Sequence, residues 1–344
     1  MRIFFLLLFI FIRVNAQNNR SYSIRTIAFY NVENLFDTIN NPITNDDNRT
    51  PKGSYKWTSE KYHEKIARIA YVISDIGKSV TKTAPDIIGL AEIENNTVLN
   101  DLIETSSLIN ENYGVLHYDS PDERGIDVAL LFKKAVFTPL SFKAHKLIVY
   151  NENEYRDYSR DQLLVSGLLD GEMIHFIVNH WPSRSGGKTK SDPKRREAAL
   201  LNKKIIDSLL KKNPKAKIIS MGDFNDDPSD RSFKKVLKTH GNRAADEEYF
   251  LYNPMEQLEK KGVGSLAHRD RWHLFDQLFF TSEFLKKDMT SFRYWKAGIF
   301  NPSYLITPSG RYKGYPYRSY SNGQFTKGYS DHFPVYLYLI KAVN

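Results

Sequence analysis

The stretch Lys217–Pro228, which reads K-I-I-S-M-G-D-F-N-D-D-P, constrains the fold of this chain more than any other segment. Its first half is short and apolar, which is typical of a β-strand buried on both faces. Gly222 is expected to end that strand, and Asp223 and Asn225 follow with one residue between them. Because residues two apart at a strand end point to the same side, both side chains are expected to reach one pocket. A carboxylate beside an amide suits a hard divalent cation, a phosphate group and an attacking water.

A plain turn is the alternative for this motif, because Gly, Asp, Asn and Pro are the residues that turns prefer. Polar residues at the ends of other predicted strands favour the functional interpretation. Asn31 and Glu33 follow a strand over residues 26–30, and Glu92 follows a buried strand that begins after Pro85. The sequence therefore predicts several strand ends that carry carboxylates and amides.

The second half of the chain contributes histidines in the same setting. A hairpin over residues 163–178 leads to His180, and the Ser-Arg-Ser-Gly-Gly loop that follows, with Arg184, suits contact with a phosphate. A lone histidine is more often structural than catalytic, so its place after a strand is what supports a functional role. Asp276 lies in an apolar strand, where a carboxylate needs a partner, and His332 is the natural candidate.

Helical periodicity alternates with these strands, which argues for an α/β fold. Helices are predicted over residues 59–77 and 96–109, from Asp192 with Pro193 at the first helical position, and over 230–239. A loop is predicted from there to Arg271. Residues 293–329 contain six Lys or Arg, seven Tyr and no acid, and we expect them to form an extended loop near the site.

Composition and the N-terminus set the class of protein. Residues 1–16 resemble a signal peptide, with Arg2, an apolar run and a Val-Asn-Ala cleavage site, and residues 17–344 are expected to form one catalytic domain. We expect a secreted or periplasmic monomer without a stable membrane anchor. Loss of the two arginines in residues 1–16 lowers the formal charge from +9 to +7, which suits an anionic partner or a solvated basic surface. The chain has no cysteine, which excludes disulfides, a thiol nucleophile and cysteine-based lipidation.

Taken together in this order, Asn-Val-Glu-Asn, Gly-Asp-Phe-Asn and Ser-Asp-His-Phe-Pro-Val resemble motifs of the endonuclease/exonuclease/phosphatase superfamily, the deoxyribonuclease I-like fold. The resemblance runs from about Thr26 to Leu339. It implies a four-layer α/β sandwich in which two mixed β-sheets pack face to face with helices outside, and a site at one edge of the two sheets.

The resemblance also implies roles for the residues at the strand ends. Glu92 would bind the main divalent metal, Mg²⁺ with Mn²⁺ or Ca²⁺ as alternatives, and Asn31, Glu33 and Asp331 would complete or neighbour that site. Asp223 and Asn225 would orient the phosphate and the water or leaving oxygen. His332 would act with Asp276, and either that pair or Asp223 would remove the proton from water. His180 favours the deoxyribonuclease I-like nucleases, sphingomyelinases and inositol phosphatases over the abasic-site endonucleases.

Three functions are compatible with these residues. The first is an exported, metal-dependent nuclease of low sequence specificity that hydrolyses DNA or RNA, which the basic, tyrosine-rich segment favours. Candidate substrate contacts are Arg124, Arg160, Arg184, Arg311, Lys313 and Arg318, although a surface salt bridge is at least as good an account of Arg124 and Arg160. The second is a phosphatase or phosphodiesterase of small or lipid substrates. The third is an inactive binding module, which the presence of every expected catalytic residue type argues against.

Overall fold

The structure, a computed structural model, describes residues 21–242 and 249–343. The proposed signal peptide over residues 1–16 lies outside the described residues. Within them the strands, in chain order, are β1 (Ser21–Leu35), β2 (Ile87–Ile93), β3 (Tyr113–His117), β4 (Asp127–Lys133), β5 (Phe137–His145), β6 (Val149–Tyr150), β7 (Arg156–Asp157), β8 (Gln162–Leu169), β9 (Glu172–His180), β10 (Lys217–Asp223), β11 (Thr239–His240), β12 (Leu251–Tyr252), β13 (Leu266–His268), β14 (Arg271–His273), β15 (Asp276–Thr281), β16 (Arg293–Ile299), β17 (Tyr320–Ser321), β18 (Gln324–Phe325) and β19 (Val335–Val343). The α-helices are α1 (Ser59–Asp75), α2 (Lys78–Thr81), α3 (Asn96–Ile103), α4 (Lys188–Lys212) and α5 (Met255–Lys260).

Two mixed sheets form the centre of the fold, as the sequence predicts. One has six strands in the order β16-β19-β1-β2-β4-β3, and the other has seven in the order β11-β12-β15-β10-β9-β8-β5. Side chains from both sheets interdigitate in one buried cluster, with Phe29 and Leu130 from the first sheet and Phe176, Met221 and Leu278 from the second. This cluster is the layer that holds the two sheets face to face.

Helices cover the outer face of each sheet and complete the four layers. The apolar stripe of α1 packs on the outer face of the six-stranded sheet through Ile66, Ile69 and Ile73. Helix α4 packs on the seven-stranded sheet through Ala198, Ile205 and Ile206, among other residues of a separate cluster. Each sheet is therefore buried on both faces, which explains why its central strands read as continuous apolar runs.

Helix α4 begins earlier than the sequence predicts. The predicted start at Asp192 and Pro193 is wrong, since the helix already runs from Lys188 and Pro193 lies inside it. Buried Arg195 accounts for the extra turn, because its guanidinium donates to the Lys188 carbonyl (3.0 Å) and to the Ser191 hydroxyl (2.7 Å). Both contacts lie within the helix, and the ion pair of Arg195 with Asp226 at 2.6 Å fixes this turn against the segment after β10. Together they offset the loss of one helical hydrogen bond at proline.

Gly222 lies within β10 and does not end it. The strand runs on to Asp223, and Gly222 is paired with Gln277 of β15 and Asn179 of β9. A Cβ at this position would collide with the backbone oxygen of Asn179. Glycine is needed here so that the two parallel strands can approach closely.

Two segments predicted as loops contain regular structure. The region before Arg271 includes α5 and the first strand of the β13–β14 hairpin. The basic segment 293–329 begins with β16, which pairs with β19 at the edge of the six-stranded sheet. Only the part after β16 is an irregular excursion, with a small β17–β18 hairpin.

In the described part of the chain, no helix combines the length and apolar character that crossing a membrane requires.

Candidate active site

The ends of four strands from the two sheets meet at one edge of the sandwich. Strands β1 and β2 run parallel in the six-stranded sheet, and β9 and β10 run parallel in the seven-stranded sheet. Their carboxyl ends carry Asn31, Glu92, His180 and Asp223. The Asn31 side-chain amide donates to Oδ2 of Asp223 across the two sheets at 3.0 Å, and it lies 3.4 Å from Oε1 of Glu92. The structure thus brings these strand ends together at one edge of the two sheets, where the family resemblance implies a site.

Backbone irregularities aim these side chains. The pairing register shifts between Asn31 and Leu35, and again between Ala91 and Ile93. Glu33 and Glu92 adopt left-handed backbone conformations with φ of 54° and 65°. Non-glycine residues rarely adopt this region, and such strain is concentrated at functional sites. Bulges of this kind turn a side chain away from simple strand alternation.

Glu33 illustrates that redirection. Its carboxylate accepts hydrogen bonds from the backbone N–H (2.6 Å) and hydroxyl (2.8 Å) of Ser319, and it lies 3.4 Å from Nε of Arg318. Its backbone carbonyl accepts from the buried Lys65 amine. These contacts tie the segment around Ser319 to the end of β1, so the structure gives Glu33 an anchoring position in contact with that segment.

Asp276 and His332 form the predicted pair. Nδ1 of His332 lies 2.6 Å from Oδ2 of Asp276, and both residues are buried. The Ser265 hydroxyl donates to the same carboxylate oxygen at 2.5 Å. Burial opposes a charge on His332, but the carboxylates of Asp276 and Asp223 outweigh it and hold the pKa of His332 well above its usual value. The imidazole is therefore cationic at neutral pH, with Nε2 directed toward the site, 3.9 Å from Oδ2 of Asp223.

His180 has the opposite electrostatic setting. Burial, with the positive charges of Arg160 and Arg124, lowers the pKa of His180 well below its usual value, so its ring is neutral at neutral pH. Nε2 lies 3.7 Å from Oδ2 of Asp223 and 3.9 Å from Oε1 of Glu92. Its Nδ1 is buried without a hydrogen-bond partner among the described residues. The site thus holds one cationic and one neutral histidine near the same oxygen, Oδ2, of Asp223.

Asp223 is poised for proton transfer. Burial raises the pKa of Asp223 to about 6, with His332 opposing and Asp276 reinforcing that rise. A carboxylate with a pKa near the working pH is ionised yet basic enough to accept a proton. Its Oδ1 accepts the backbone N–H of Asn225 at 3.0 Å, and the Asn225 amide donates to the Trp181 carbonyl at 3.0 Å. This turn, with Asn225 at φ 50°, keeps both side chains beside the same cavity.

The donor set at this edge fits a hard divalent cation. Glu92 presents one carboxylate oxygen toward Asn31 and His180 and uses the other to accept the Asn34 backbone N–H at 2.8 Å. Carboxylate and amide oxygens are the ligands that Mg²⁺ prefers. Asp223, Asp276 and His332 also lie close enough to one another for metal ligation, but Nδ1 of His332 is already engaged by Asp276. Glu92, with Asp223 nearby, is therefore the better candidate to hold the ion, whereas Asn31 directs its side-chain N–H groups at both carboxylates and orients them.

Asp331 lies at the outer rim of the site. Its Oδ2 accepts from the Arg318 guanidinium at 2.9 Å, and its Oδ1 lies 4.0 Å from Nε2 of His332. It is more exposed than Glu33 and faces the larger of the two cavities described next. Arg318 holds Oδ2, so Oδ1 is the Asp331 atom that a metal could use.

The candidate cationic residues fall into three groups. Arg124 and Arg160 line a cavity of about 330 Å³ together with Glu92, His180, Asp223, Asn225 and His332. Arg160 is buried, paired with Asp122 at 2.9 Å, and donates to the Trp181 carbonyl at 2.7 Å. Arg311 and Arg318 line a cavity of about 730 Å³ that reaches Asp331, and Lys313 lies in the same segment.

Arg184 forms the third group, away from the cavity that His180 lines. Its guanidinium is 3.3 Å from Asp226, 3.3 Å from Asp227 and 2.6 Å from Asp230. It also donates to the Asn225 carbonyl at 2.8 Å. These bonds occupy the guanidinium, so the structure places Arg184 as a brace of the turn that follows β10.

This placement gives a prediction for Arg184→Gln. Loss of the charge removes the cation that three carboxylates share, although each keeps a second partner, Arg195, His273 or Lys188. We expect the free energy of unfolding to fall by roughly 1 to 2 kcal/mol. Chemical denaturation measures that change. The Michaelis constant for any phosphoester substrate should stay within about twofold of the wild-type value, since Arg184 is already paired. A large rise in the Michaelis constant with unchanged stability would instead indicate that Arg184 binds the substrate.

Sequence reasoning missed Arg49. It lies in a region that the sequence indicates only as a polar surface segment, within a short helical turn, Asp47–Arg49. In the structure its guanidinium stacks on Tyr55 at 4.0 Å and lines a cavity that reaches Glu33 and Asn34. No local sequence signal marks it, because the rings that hold it come from Phe36, Tyr55 and Tyr320.

A sequence profile described as the Endonuclease/Exonuclease/phosphatase family matches residues 26–341. The chain belongs to this family. It is a phosphoric ester hydrolase by family, and the candidate ligands at the sheet edge agree with the divalent-metal dependence of such enzymes. No curated protein sequence matches the chain.

Solved structures share the fold at low sequence identity. The D. rerio TDP2 complex with a single-strand DNA product has a TM-score of 0.53 and 16% identity, covering 92% of this chain and 99% of that one. An endonuclease/exonuclease/phosphatase family protein from Bacteroides thetaiotaomicron has a TM-score of 0.53 and 16% identity, covering 94% and 100%. The mannosyl-6-phosphatase of the same organism has a TM-score of 0.53 and 18% identity, covering 93% and 100%. These similarities establish the fold.

Proposed function

We propose that the chain is an exported, Mg²⁺-dependent phosphodiesterase that hydrolyses DNA with low sequence specificity. The observation that carries the proposal is the arrangement of cationic His332 and neutral His180 near Oδ2 of Asp223, beside Glu92. Residues 1–16 support export, because they have the order of charge, apolar run and small residues that signal peptides share.

Each residue has a distinct part in the proposed reaction. When bound at Glu92 and its neighbours, Mg²⁺ supplies polarisation of a phosphoryl oxygen. Asp223 accepts the proton of the attacking water, since its pKa lies near the working pH. His332, held cationic by Asp276, directs Nε2–H at the phosphate and gives this proton to the leaving oxygen as its P–O bond breaks. His180, a neutral ring with Nε2 3.7 Å from Oδ2 of Asp223, contributes a second hydrogen bond to the phosphate.

The basic segment after β16 supports a nucleic-acid substrate. Arg311 and Arg318 line the 730 Å³ cavity together with Tyr312, Tyr315 and Tyr317, and that cavity ends at Asp331 beside His332. Cations can contact phosphates while tyrosine rings stack on bases. The structural similarity to a TDP2 complex with single-strand DNA agrees with this substrate class.

Neutralising Arg311 and Lys313 together tests the nucleic-acid substrate. We expect the Michaelis constant for DNA to rise and the slope of log(kcat/KM) against log[salt] to become shallower by roughly one to two, because up to two phosphate contacts are lost. Arg318 is left intact, because its bonds to Glu33 and Asp331 would confound the result. Hydrolysis of bis-p-nitrophenyl phosphate is the control and should barely change. Normal DNA cleavage with an unchanged salt slope would count against a nucleic-acid substrate.

A phosphatase of small phosphoesters is the second candidate. The small volume of the His180 cavity, about 330 Å³, suits a compact phosphoester, and the structural similarity to a mannosyl-6-phosphatase points the same way. The decisive experiment screens the mature protein with Mg²⁺, Mn²⁺ and Ca²⁺ against plasmid DNA, RNA, inositol phosphates, sugar phosphates, sphingomyelin and bis-p-nitrophenyl phosphate. Higher kcat/KM on a sugar or inositol phosphate than on DNA would favour the phosphatase.

A further inference from the structure

Arg49 is a partly buried cation for which the described residues provide no carboxylate within ion-pair distance. The same part of the chain also offers its guanidinium no side-chain or backbone hydrogen-bond acceptor; only its backbone N–H is bonded, to the Asp46 carbonyl. Buried arginines are normally paired, because an unpaired charge loses hydration without compensation. The five N–H donors of Arg49 are therefore available to a ligand.

Aromatic rings hold this guanidinium in one place. It lies over Tyr55 at 4.0 Å and at 5.7 Å from both Phe36 and Tyr320. Tyr55 and Tyr320 are themselves packed edge to face at 5.0 Å, and the Tyr320 hydroxyl donates to the Tyr55 carbonyl at 2.9 Å. Stacking on these rings partly compensates the charge of the guanidinium and restricts the Arg49 side chain. Little conformational entropy is therefore lost when the guanidinium binds an anion.

The cavity that Arg49 lines adjoins the active site. It has a volume of about 510 Å³ and is bounded by Glu33, Asn34, Tyr312 and Arg318, among others. The Asn34 backbone N–H donates to Glu92, the candidate metal ligand, at 2.8 Å. Tyr312 and Arg318 also line the 730 Å³ cavity, so the two cavities share part of their lining.

The charge balance of this cavity favours an anion. Glu33 is the acidic residue that lines it, and that carboxylate is already bonded to Ser319 and Arg318. The planar fork of Arg49 matches two oxygens of a phosphate. Ser54, Ser321 and Asn322 add neutral polar groups on the same wall.

We infer that Arg49 and the cavity around it bind a second phosphate group of the substrate, the one next to the phosphate that is hydrolysed. This inference rests on the proposed function, because it assigns a subsite of that same active site. In a nucleic acid the second phosphate is that of the neighbouring nucleotide, and in a small substrate it is the second phosphate of a bisphosphorylated compound. Arg49 would then select substrates that carry two phosphates over those that carry one.

Direct binding tests the subsite independently of catalysis. Calorimetry on the metal-free mature protein compares a nucleoside 3′,5′-bisphosphate with the 5′-monophosphate, for the wild type, Arg49→Gln and Lys52→Gln. Lys52 is exposed in the same loop and provides the same change in charge. We expect Arg49→Gln to weaken the bisphosphate by roughly tenfold to hundredfold and the monophosphate by less than about twofold. Equal weakening of both ligands, or none, would refute the subsite.

Kinetics then identifies the source of the second phosphate. The substrates are short single-stranded DNAs with one cleavable phosphodiester and methylphosphonates elsewhere, and the same strands with one neighbouring phosphate restored. For the wild type and Lys52→Gln, restoring the phosphate should lower KM by roughly tenfold or more, and for Arg49→Gln it should have no effect. An equal decrease in KM in all three proteins would show that Arg49 does not bind the phosphate of the neighbouring nucleotide.

Failure of the proposed function gives a different pattern. If no DNA strand is cleaved while calorimetry still shows the Arg49-dependent preference for the bisphosphate, the subsite stands and the substrate is a small bisphosphate. If Arg49→Gln unfolds at a clearly lower temperature than Lys52→Gln, Arg49→Lys provides the comparison, since it keeps the charge but not the fork. If Arg49→Lys binds the bisphosphate as tightly as the wild type, a positive charge alone is sufficient. That result would refute recognition by the planar guanidinium.

Discussion

Replacing Asp276 with asparagine should lower kcat by roughly 10²- to 10³-fold while KM changes little. Asp276 is fully buried, and its Oδ2 holds Nδ1 of His332 at 2.6 Å. The carboxylate both orients the imidazole and keeps it cationic, whereas an amide at the same position does the first only in part and the second not at all. The loss should therefore appear in the chemical step.

The pH profile separates this role from simple misfolding. In the wild type the carboxylates hold the pKa of His332 well above its usual value, so the imidazolium persists to alkaline pH. In Asp276→Asn the opposing effect of burial is less compensated, and the pKa of His332 should fall. The alkaline limb of kcat/KM should therefore move to lower pH. A variant with reduced activity and an unshifted profile would exclude His332 as the group that titrates there.

The same pair affects stability with a defined sign. A histidine whose pKa is raised on folding stabilises the protein fully below its unfolded pKa, and that contribution is lost as pH rises through the folded pKa. Wild-type stability should consequently fall with rising pH above neutrality more than that of Asp276→Asn. Urea denaturation of the metal-free proteins across this range measures the difference.

Asp227 provides a matched control for Asp276. It also pairs with a histidine, since Nδ1 of His273 lies 2.9 Å from its Oδ2, but neither residue lines the His180 cavity. Asp227→Asn should destabilise the fold, because it weakens contacts with His273 and Arg184, and kcat should stay within about threefold of the wild type. Comparable losses of kcat in both variants would indicate that the effect of Asp276→Asn is structural.

The sequence was sufficient for the layers of the fold and for most of the strand ends. Continuous apolar runs such as that before Asp223 occur because both faces of each sheet are covered, by the other sheet and by helices. The polar residue that ends such a run lies beyond the packed core, at the edge of the sheet. The family resemblance implies one site for Glu92, His180 and Asp223, and in the structure Nε2 of His180 lies within 4 Å of both carboxylates.

Local rules failed where tertiary contacts decide the conformation. Strand alternation predicts that Asn31 and Glu33 share a pocket, but the bulge after Asn31 turns Glu33 toward Ser319. Pro193 predicts a helix start, but the helix already runs from Lys188, and Arg195 in its early turns pairs with Asp226 after β10 at 2.6 Å. In both cases a partner more than one helical turn away or on another segment outweighs the local preference, and sequence periodicity carries no information about that partner.

Cationic residues were the hardest to assign. Arg184 and Arg49 are both arginines in polar, turn-rich segments, and nothing in their neighbours distinguishes them. The structure gives Arg184 three aspartates and gives Arg49 three aromatic rings with no carboxylate among the described residues. Whether an arginine is free to bind substrate depends on long-range contacts, which explains why the local sequence does not distinguish these two.

Replacing Glu92 with alanine should have the largest effect of all. Glu92 combines a left-handed backbone, a bulged strand and a carboxylate with one oxygen directed toward Asn31 and His180. Its removal takes the central carboxylate from the candidate metal site. We expect Mg²⁺ affinity to fall by roughly 100-fold or more and kcat by roughly 10³-fold, since polarisation of a phosphoryl oxygen by a metal is worth several kcal/mol.

Glu94 makes this prediction specific. It lies two residues further along, and its carboxylate accepts the Asp37 backbone N–H at 2.6 Å. Burial raises the pKa of Glu94 to about 8, so the group is largely protonated at neutral pH and Glu94→Gln should be nearly isosteric and isoelectric. Mg²⁺ affinity is measured by calorimetric titration, and the rate is measured on the best phosphodiester substrate. We expect Glu94→Gln to match the wild type in both and Glu92→Ala to be inactive. The circular dichroism spectrum should be unchanged in both variants. If Glu92→Ala binds Mg²⁺ as tightly as the wild type, the ion is held elsewhere, and Asp223 with Asp331 becomes the set to test, since both carboxylates border His332.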